Sequence, residues 1–218
     1  MIAIDGPAAS GKGTIAQGVA RALGFHYLDS GSLYRLVALK ALEAGLPLDD
    51  GPRLAQTAAG MATAFAGERV ELDGVDVTAA IRSPTVSAAA SQVAVFPEVR
   101  RTLLARQRTF RRPPGLVADG RDMGTVVFPG ATLKVYLTAS AEERARRRYK
   151  QLIEKGNPVI LDSLLREIRE RDARDSARAA APLRAAADAI VLDTTDTSID
   201  ASIDFVLRRF RALREGGQ

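Results

Sequence analysis

Cysteine is absent from the 218 residues, which excludes disulfides and thiolate-held zinc and points to a reducing compartment. No apolar stretch approaches the roughly 20 residues a membrane span needs, so a soluble cytoplasmic protein is expected. The apolar run at residues 1–4 is too short for a signal peptide and meets Asp5-Gly6-Pro7. Aromatics are few, 4 Tyr and 7 Phe, which argues against a stacking platform for nucleic acid. The one histidine, His26, stands at a strand start, where packing is the simpler role. The one asparagine, Asn157, precedes Pro158, so the Asn-Lys-x-Asp motif of guanine-nucleotide switches is missing.

Positive charge is not scarce, but it is unevenly spread. Between Glu98 and Arg178 lie 19 Lys and Arg against 11 Asp and Glu, a surplus of eight; the remainder carries −3, giving the net +5. A basic segment attracts polyanions, although a solvated helical surface accounts for it as simply. Apolar runs at 1–4, 25–28, 116–118, 133–137 and 189–192 predict strands, with helical patterns between them. That alternation predicts an α/β fold with a parallel sheet covered on both faces. Thr197 followed by Asp200 predicts a capped final helix carrying Ile199, Ile203, Val206 and Phe210 on one face. "ERVELDGVDVT" at 68–78 interrupts the alternation; its Asp73-Gly74 pair predicts a hairpin, flanked by helices over 54–65 and 84–95.

The segment "GPAASGKGT", Gly6, Pro7, Ala8, Ala9, Ser10, Gly11, Lys12, Gly13 and Thr14, matches G-x-x-x-x-G-K. It follows a strand and opens an amphipathic helix, the context in which such a loop binds nucleotide phosphates. Lys12 offers a point charge to the β- and γ-phosphates. Gly13 stands where a Walker-type loop carries Ser or Thr, which leaves Thr14, a water shell or Asp119 to deal with Mg²⁺. Three further stretches place arginines beside carboxylates. In "LDSGSLYR", Asp29 and Ser30 end a strand and precede Arg35 in a helix, where capping is the plain alternative. In "LVADGRDMGT", Arg121 and Asp122 sit at the carboxyl end of a buried strand, the edge where open α/β sheets bind ligands. In "LLREIRERDARDSAR", Arg171, Asp175 and Arg178 continue the apolar stripe of Leu164, Leu165 and Ile168. Charges on a core-facing stripe call for a polar ligand or for a helix end emerging into water.

Those stretches, with "SQVAVFPEVR" and "DGRDMGTVVFP", resemble the bacterial cytidylate kinases, and the resemblance runs over nearly the whole chain. It implies a P-loop nucleoside monophosphate kinase fold: a five-stranded parallel sheet flanked by helices, an inserted monophosphate-binding region with a small antiparallel sheet, and a short lid. The implied division is a core over 1–30, 96–141 and 159–218, the inserted region over 31–95, and the lid over 142–158. The implied reaction is transfer of the γ-phosphate of ATP, with Mg²⁺, to CMP or dCMP. Ser30, Arg100 and Asp122 would read cytosine, Ser91, Arg171 and Asp175 the sugar, and Arg35, Arg121 and Arg178 the acceptor phosphate. Lys12, Arg121 and Arg178 are then the catalytic cations, with Arg144, Arg147 and Arg148 as candidates to close from the lid. The expected partners are small nucleotides, with no stable nucleic acid or membrane, and a monomer. Two other readings stand beside this one: a kinase for UMP or a non-nucleotide acceptor, and a basic nucleic-acid-binding protein with incidental ATPase.

Overall fold

The computed structural model describes residues 1–67, 69–154 and 156–215. Glu68 of the expected hairpin, Lys155 of the expected lid and residues 216–218 of the expected core lie outside them. The chain forms two compact units, Met1–Leu28 with Phe110–Gln218, and Asp29–Thr109.

Along the chain, strand β1 (Ile2–Asp5), helix α1 (Lys12–Leu23) and strand β2 (His26–Asp29) come first. Helices α2 (Ser30–Glu43) and α3 (Gly51–Gly60), strands β3 (Thr63–Ala66), β4 (Arg69–Leu72) and β5 (Val75–Asp76), and helices α4 (Pro84–Val93) and α5 (Pro97–Arg108) make the second unit. The chain then returns through β6 (Leu116–Gly120), a π-helical turn (Met123–Val127), β7 (Leu133–Thr138), α6 (Ala141–Glu154), α7 (Leu161–Ser176), β8 (Ile190–Asp193) and α8 (Ile199–Glu215).

In the first unit the strands form a five-stranded, all-parallel sheet in the order β2-β6-β1-β7-β8. Its central strands are apolar on both faces because helices cover both. Ile2, Ile4, Val117, Leu133, Val135 and Leu137 are buried with Ile15, Val19, Val206 and Phe210 of α1 and α8. α8 closes on α1 at Gly18, where an added Cβ would lie 2.3 Å from Ile203 Cδ1. Ile199, expected on that buried face, stays exposed. The cap also differs: Ser198, not Thr197, accepts the Ala201 N–H at 3.1 Å. Ser198 directly precedes the first helical residue, so its hydroxyl reaches the third helical N–H.

In the second unit, α3 ends at Gly60 and the residues expected to prolong it become β3. Thr63 and Phe65 are partly buried while Ala64 and Ala66 are exposed, a period of two that suits a strand. The register is fixed where the Ala62 N–H donates to Asp73 Oδ1 at 2.8 Å and the Asp73 N–H to the Ala62 carbonyl at 2.8 Å. Asp73 and Gly74, with φ of 51° and 84°, form the expected hairpin turn between β4 and β5. Among the described residues no helix is long and apolar enough to cross a membrane.

Ser198→Ala is expected to destabilise the protein by about 1 kcal/mol in urea unfolding, and Thr197→Ala by a few tenths at most. Equal losses in the two variants would contradict the cap assignment.

Candidate functional site

β1 delivers the chain to the phosphate loop from the middle of the sheet. At its carboxyl end, Asp5 stands opposite Gly120 of β6 and Tyr136 of β7. The next residue, Gly6, packs so closely on β7 that an added Cβ would lie 2.2 Å from the Leu137 carbonyl oxygen. Any side chain there would push the loop off the sheet. Ala9 and Gly11 then take left-handed φ of 58° and 85°, folding the loop back onto the start of α1.

The loop's peptide planes are held from outside. Arg144 Nη1 donates to the Ala8 carbonyl at 3.3 Å, and Thr194 Oγ1 and Arg147 Nη1 to the Ser10 carbonyl at 3.3 and 3.5 Å. A trans peptide points its N–H opposite to its C=O, so the Ala9 and Gly11 amides face away from these anchors. Gly11 caps α1 without a side chain to accept the first-turn N–H groups. Buried Ser10 also has no hydrogen-bond partner for its hydroxyl. A helix start without an accepting side chain, beside amides turned away from their carbonyl anchors, has the electrostatics of a phosphate site. Lys12 Nζ donates to the Pro7 carbonyl at 3.4 Å.

Gly13 opens onto acidic ground. A Cβ there would lie 3.5 Å from Asp119 Oδ2 and 3.6 Å from the Tyr27 hydroxyl, which donates to Asp119 Oδ1 at 3.4 Å. A carboxylate of β6 thus borders the place where other phosphate loops carry a hydroxyl. Thr14 is exposed and Asp119 buried. No cluster of three or more metal-ligating side chains occurs among the described residues. Mg²⁺, which usually keeps waters and binds through substrate phosphates with one or two carboxylates, fits this donor set.

Beyond β6, Arg121, Asp175 and Arg178 come together in the same unit. Asp175 is buried at the end of α7 and takes Arg121 Nε on Oδ2 at 2.9 Å and Arg178 Nη2 on Oδ1. Burial would raise this carboxyl; the Arg121, Arg178 and Arg171 guanidiniums outweigh it and hold it below the ordinary carboxylate range. The stripe of Leu164 and Ile168 does continue through buried Asp175, but Arg178 lies just past the helix. Asp122 is buried, and its carbonyl accepts the Val126 and Val127 amides of the π-helical turn.

The arginines expected in a lid are already engaged. Arg144 is buried, gives Nη1 and Nη2 to Asp172 at 3.1 and 2.6 Å, and Nε to the Ala139 carbonyl at 2.9 Å. Arg147 reaches Thr194 and Glu143, and Arg148 donates to Gln151 at 2.8 Å. In the second unit, Asp29 caps α2 by accepting the Ser32 N–H at 3.3 Å and hydroxyl at 2.6 Å. It also takes Arg35 Nη1 at 3.2 Å. Ser30 is buried in the first turn of α2. Ser91 of α4 is 2% exposed, and its hydroxyl has no hydrogen-bond partner. Arg100 of α5 is buried over the Tyr34 ring, 5.5 Å from its centroid, and donates to the Ala94 carbonyl.

Sequence reasoning passes over Asp5, Tyr27, Asp172 and Thr194. Only Asp5 carries a local signal, a carboxylate closing an apolar strand immediately before the loop. It accepts the Met123 and Gly124 amides at 2.8 and 2.7 Å. Burial nevertheless raises its carboxyl from 3.8 to about 6; those two amides oppose the rise, Asp122 adds to it and Arg121 subtracts. The native state therefore holds the proton that the unfolded chain releases. The associated stability is complete below about pH 4 and lost as pH rises through about 6, a loss of roughly 3 kcal/mol. Compared with Asp5→Asn in urea unfolding, the wild-type protein is expected to lose about that much stability between pH 4 and pH 8. A difference between the two proteins that stays constant over this range would contradict the burial argument.

The whole chain has close parallels. The family model described as cytidylate kinase matches residues 2–212. A cytidylate kinase of Burkholderia cenocepacia (strain HI2424) is 57% identical over 213 residues, 98% of this chain and 93% of the relative. That of Bordetella bronchiseptica (strain ATCC BAA-588 / NCTC 13252 / RB50) is 57% identical over 212 residues, 97% and 95% of the two chains. That of Chromobacterium violaceum is 54% identical over 217 residues, 100% and 98% of the two. Among solved structures, that of TT1252 from Thermus thermophilus is similar at 22% identity and a TM-score of 0.46, covering 97% and 95%. The chain belongs to the cytidylate kinase family.

Proposed function

We propose that this protein transfers the γ-phosphate of ATP to CMP or dCMP, giving ADP and CDP or dCDP, and that it acts as a cytoplasmic monomer. One observation carries the proposal within the family. The phosphate loop and the Arg121–Asp122 turn leave adjacent parallel strands at paired residues, Asp5 opposite Gly120. Donor and acceptor groups are thereby anchored on one rigid edge.

In this proposal the loop amides of residues 6–14 and Lys12 hold the triphosphate. Arg121 and Arg178, already oriented by Asp175, take the acceptor phosphate, joined by Arg35. Arginine suits the task because it stays charged and forks onto phosphate oxygens. An oxygen of the acceptor phosphate attacks the γ-phosphorus in line as the bond to the bridging oxygen of ADP breaks. No covalent intermediate is needed, because positioning and charge neutralisation supply the rate. Mg²⁺, carried in with ATP and approached by Thr14 and Asp119, would offset charge on the transferring phosphoryl group. Arg144, Arg147 and Arg148 are the candidate lid cations, of which Arg144 and Arg147 also brace the loop through its carbonyls.

Base selection falls to Ser30, Arg100 and Asp122. Cytosine presents a donor amine, which suits a carboxylate or hydroxyl, and acceptors at N3 and O2, which suit Arg100. Uracil places an acceptor where that amine stands, so Asp122 would repel it. Ser91, Arg171 and Asp175 would hold the sugar; the buried, partnerless Ser91 hydroxyl is what a ligand hydroxyl would satisfy. We assign residues 31–95 to monophosphate binding, 142–158 to the lid and the rest to the core.

With ATP as donor, CMP and dCMP should exceed UMP, AMP and shikimate as acceptors by a wide margin in steady-state assays. Comparable rates with UMP or shikimate would overturn the assignment. Asp122→Ala should lower kcat/KM for CMP by roughly 10- to 100-fold, the worth of a hydrogen bond to a charged group, while ATP affinity holds. Equal loss of both would mean that Asp122 does not face the acceptor.

A further inference from the structure

Among the described residues, Asp5 is a buried carboxylate at this sheet edge to which the reaction gives no task. It ends β1, is 5% exposed, and spends both oxygens on backbone amides 118 and 119 residues away. We propose that Asp5 is a positioning residue for the acceptor side: its carboxylate fixes the turn that carries Arg121 and Asp122, and it touches neither nucleotide. The proposal rests on the reading of Arg121 and Asp122 as acceptor contacts.

The geometry leaves few other tasks for this side chain. Met123 and Gly124 are the first residues of the π-helical turn, so their amides have no partner inside it. Two neighbouring orphan donors need two acceptor sites aimed together, which one carboxylate supplies and a carboxamide does not. Asp122, which precedes the turn, has backbone angles of φ −146° and ψ 23°, outside the regular helical and strand regions. Its orientation therefore depends on what pins the turn behind it. Gly124 itself is boxed in: an added Cβ would lie 3.4 Å from Asp5 Oδ2 and 3.2 Å from Lys134 Cδ. Lys134 is tied to Asp188 at 2.9 Å, so its stem does not yield freely. Asp5, Gly124 and Lys134 thus form a seat beneath the turn.

The tests are Asp5→Asn, which loses one acceptor and sets an NH₂ against an amide donor, and Gly124→Ala, which disturbs the seat with the carboxylate intact. Each variant is measured for the Kd of ATP without acceptor, for KM and kcat with CMP, and for amide exchange at Met123 and Gly124. In both variants we expect KM for CMP to rise, and exchange at the two amides to quicken, by about tenfold or more. ATP affinity should stay within about twofold, since the loop carbonyls keep their own anchors. An ATP Kd that rises as far as the CMP KM, or unchanged exchange at both amides, would overturn the proposal. Wild-type protein that turns over no CMP, with faster exchange in Asp5→Asn, would strike the acceptor reading and leave Asp5 holding the turn. Normal wild-type turnover with an unshifted CMP KM in both variants would remove Asp5's role and leave the function standing.

Discussion

The contact between Gly6 and the carbonyl of Leu137 governs much of what surrounds it. The chain leaves β1 against the backbone of β7, with 2.2 Å between the place of a missing Cβ and a carbonyl oxygen. That constraint makes glycine obligatory and starts the loop at the centre of the sheet, where strands on both sides fix its exit. Once the exit is fixed, Arg144, Arg147 and Thr194 need only turn the carbonyls outward for the amides to face a common point. An anion site made of backbone is rigid for the same reason that the sheet is rigid, and little is left to reorganise when phosphate arrives.

Charge is handled differently on the two sides of this edge. At the loop, positive potential comes from amides, a helix start and Lys12, with arginines as outer braces. At the end of α7 it comes from guanidiniums, and buried Asp175 keeps Arg121 and Arg178 from repelling one another. Arg144 with Asp172 and Arg147 with Glu143 are further examples. A few of the basic residues between Glu98 and Arg178 stand in such pairs, while many others, Arg101, Arg111 and Arg166 among them, are exposed.

All five strands of the parallel sheet were legible as apolar runs: β1, β6 and most of β7 are buried on both faces, whereas the edge strands β2 and β8 are only partly buried and were marked by their apolar residues alone. The carboxyl ends of the strands were not legible: the apolar runs stop one or two residues early, and Asp5, Asp29 and Asp193 close three of the strands. Asp5 and Asp193 keep the ladder pairing there, opposite Gly120 and Thr138. The turn at 6–14 from β1 into α1 was legible, since its pattern is local. β3 was hidden in an alanine-rich stretch whose period of two is only four residues long. The helix cap moved from Thr197 to Ser198 because two adjacent hydroxyls compete and only the backbone decides between them. Asp5 with Gly124, and Arg144 with Asp172, pair residues 119 and 28 apart, which no local pattern encodes.

The central claim is that one rigid edge holds a triphosphate and a cytidine monophosphate for direct transfer. Its most direct test is the affinity of a bisubstrate ligand in which adenosine and cytidine are joined by five phosphates, set against its uridine counterpart. Joining the two halves makes the second contact intramolecular, so the cytidine ligand should bind far more tightly than ATP or CMP alone. The uridine ligand should lose roughly 10-fold or more through the clash with Asp122. Equal affinity for the two bisubstrates, or no gain of the cytidine ligand over ATP, would contradict the account.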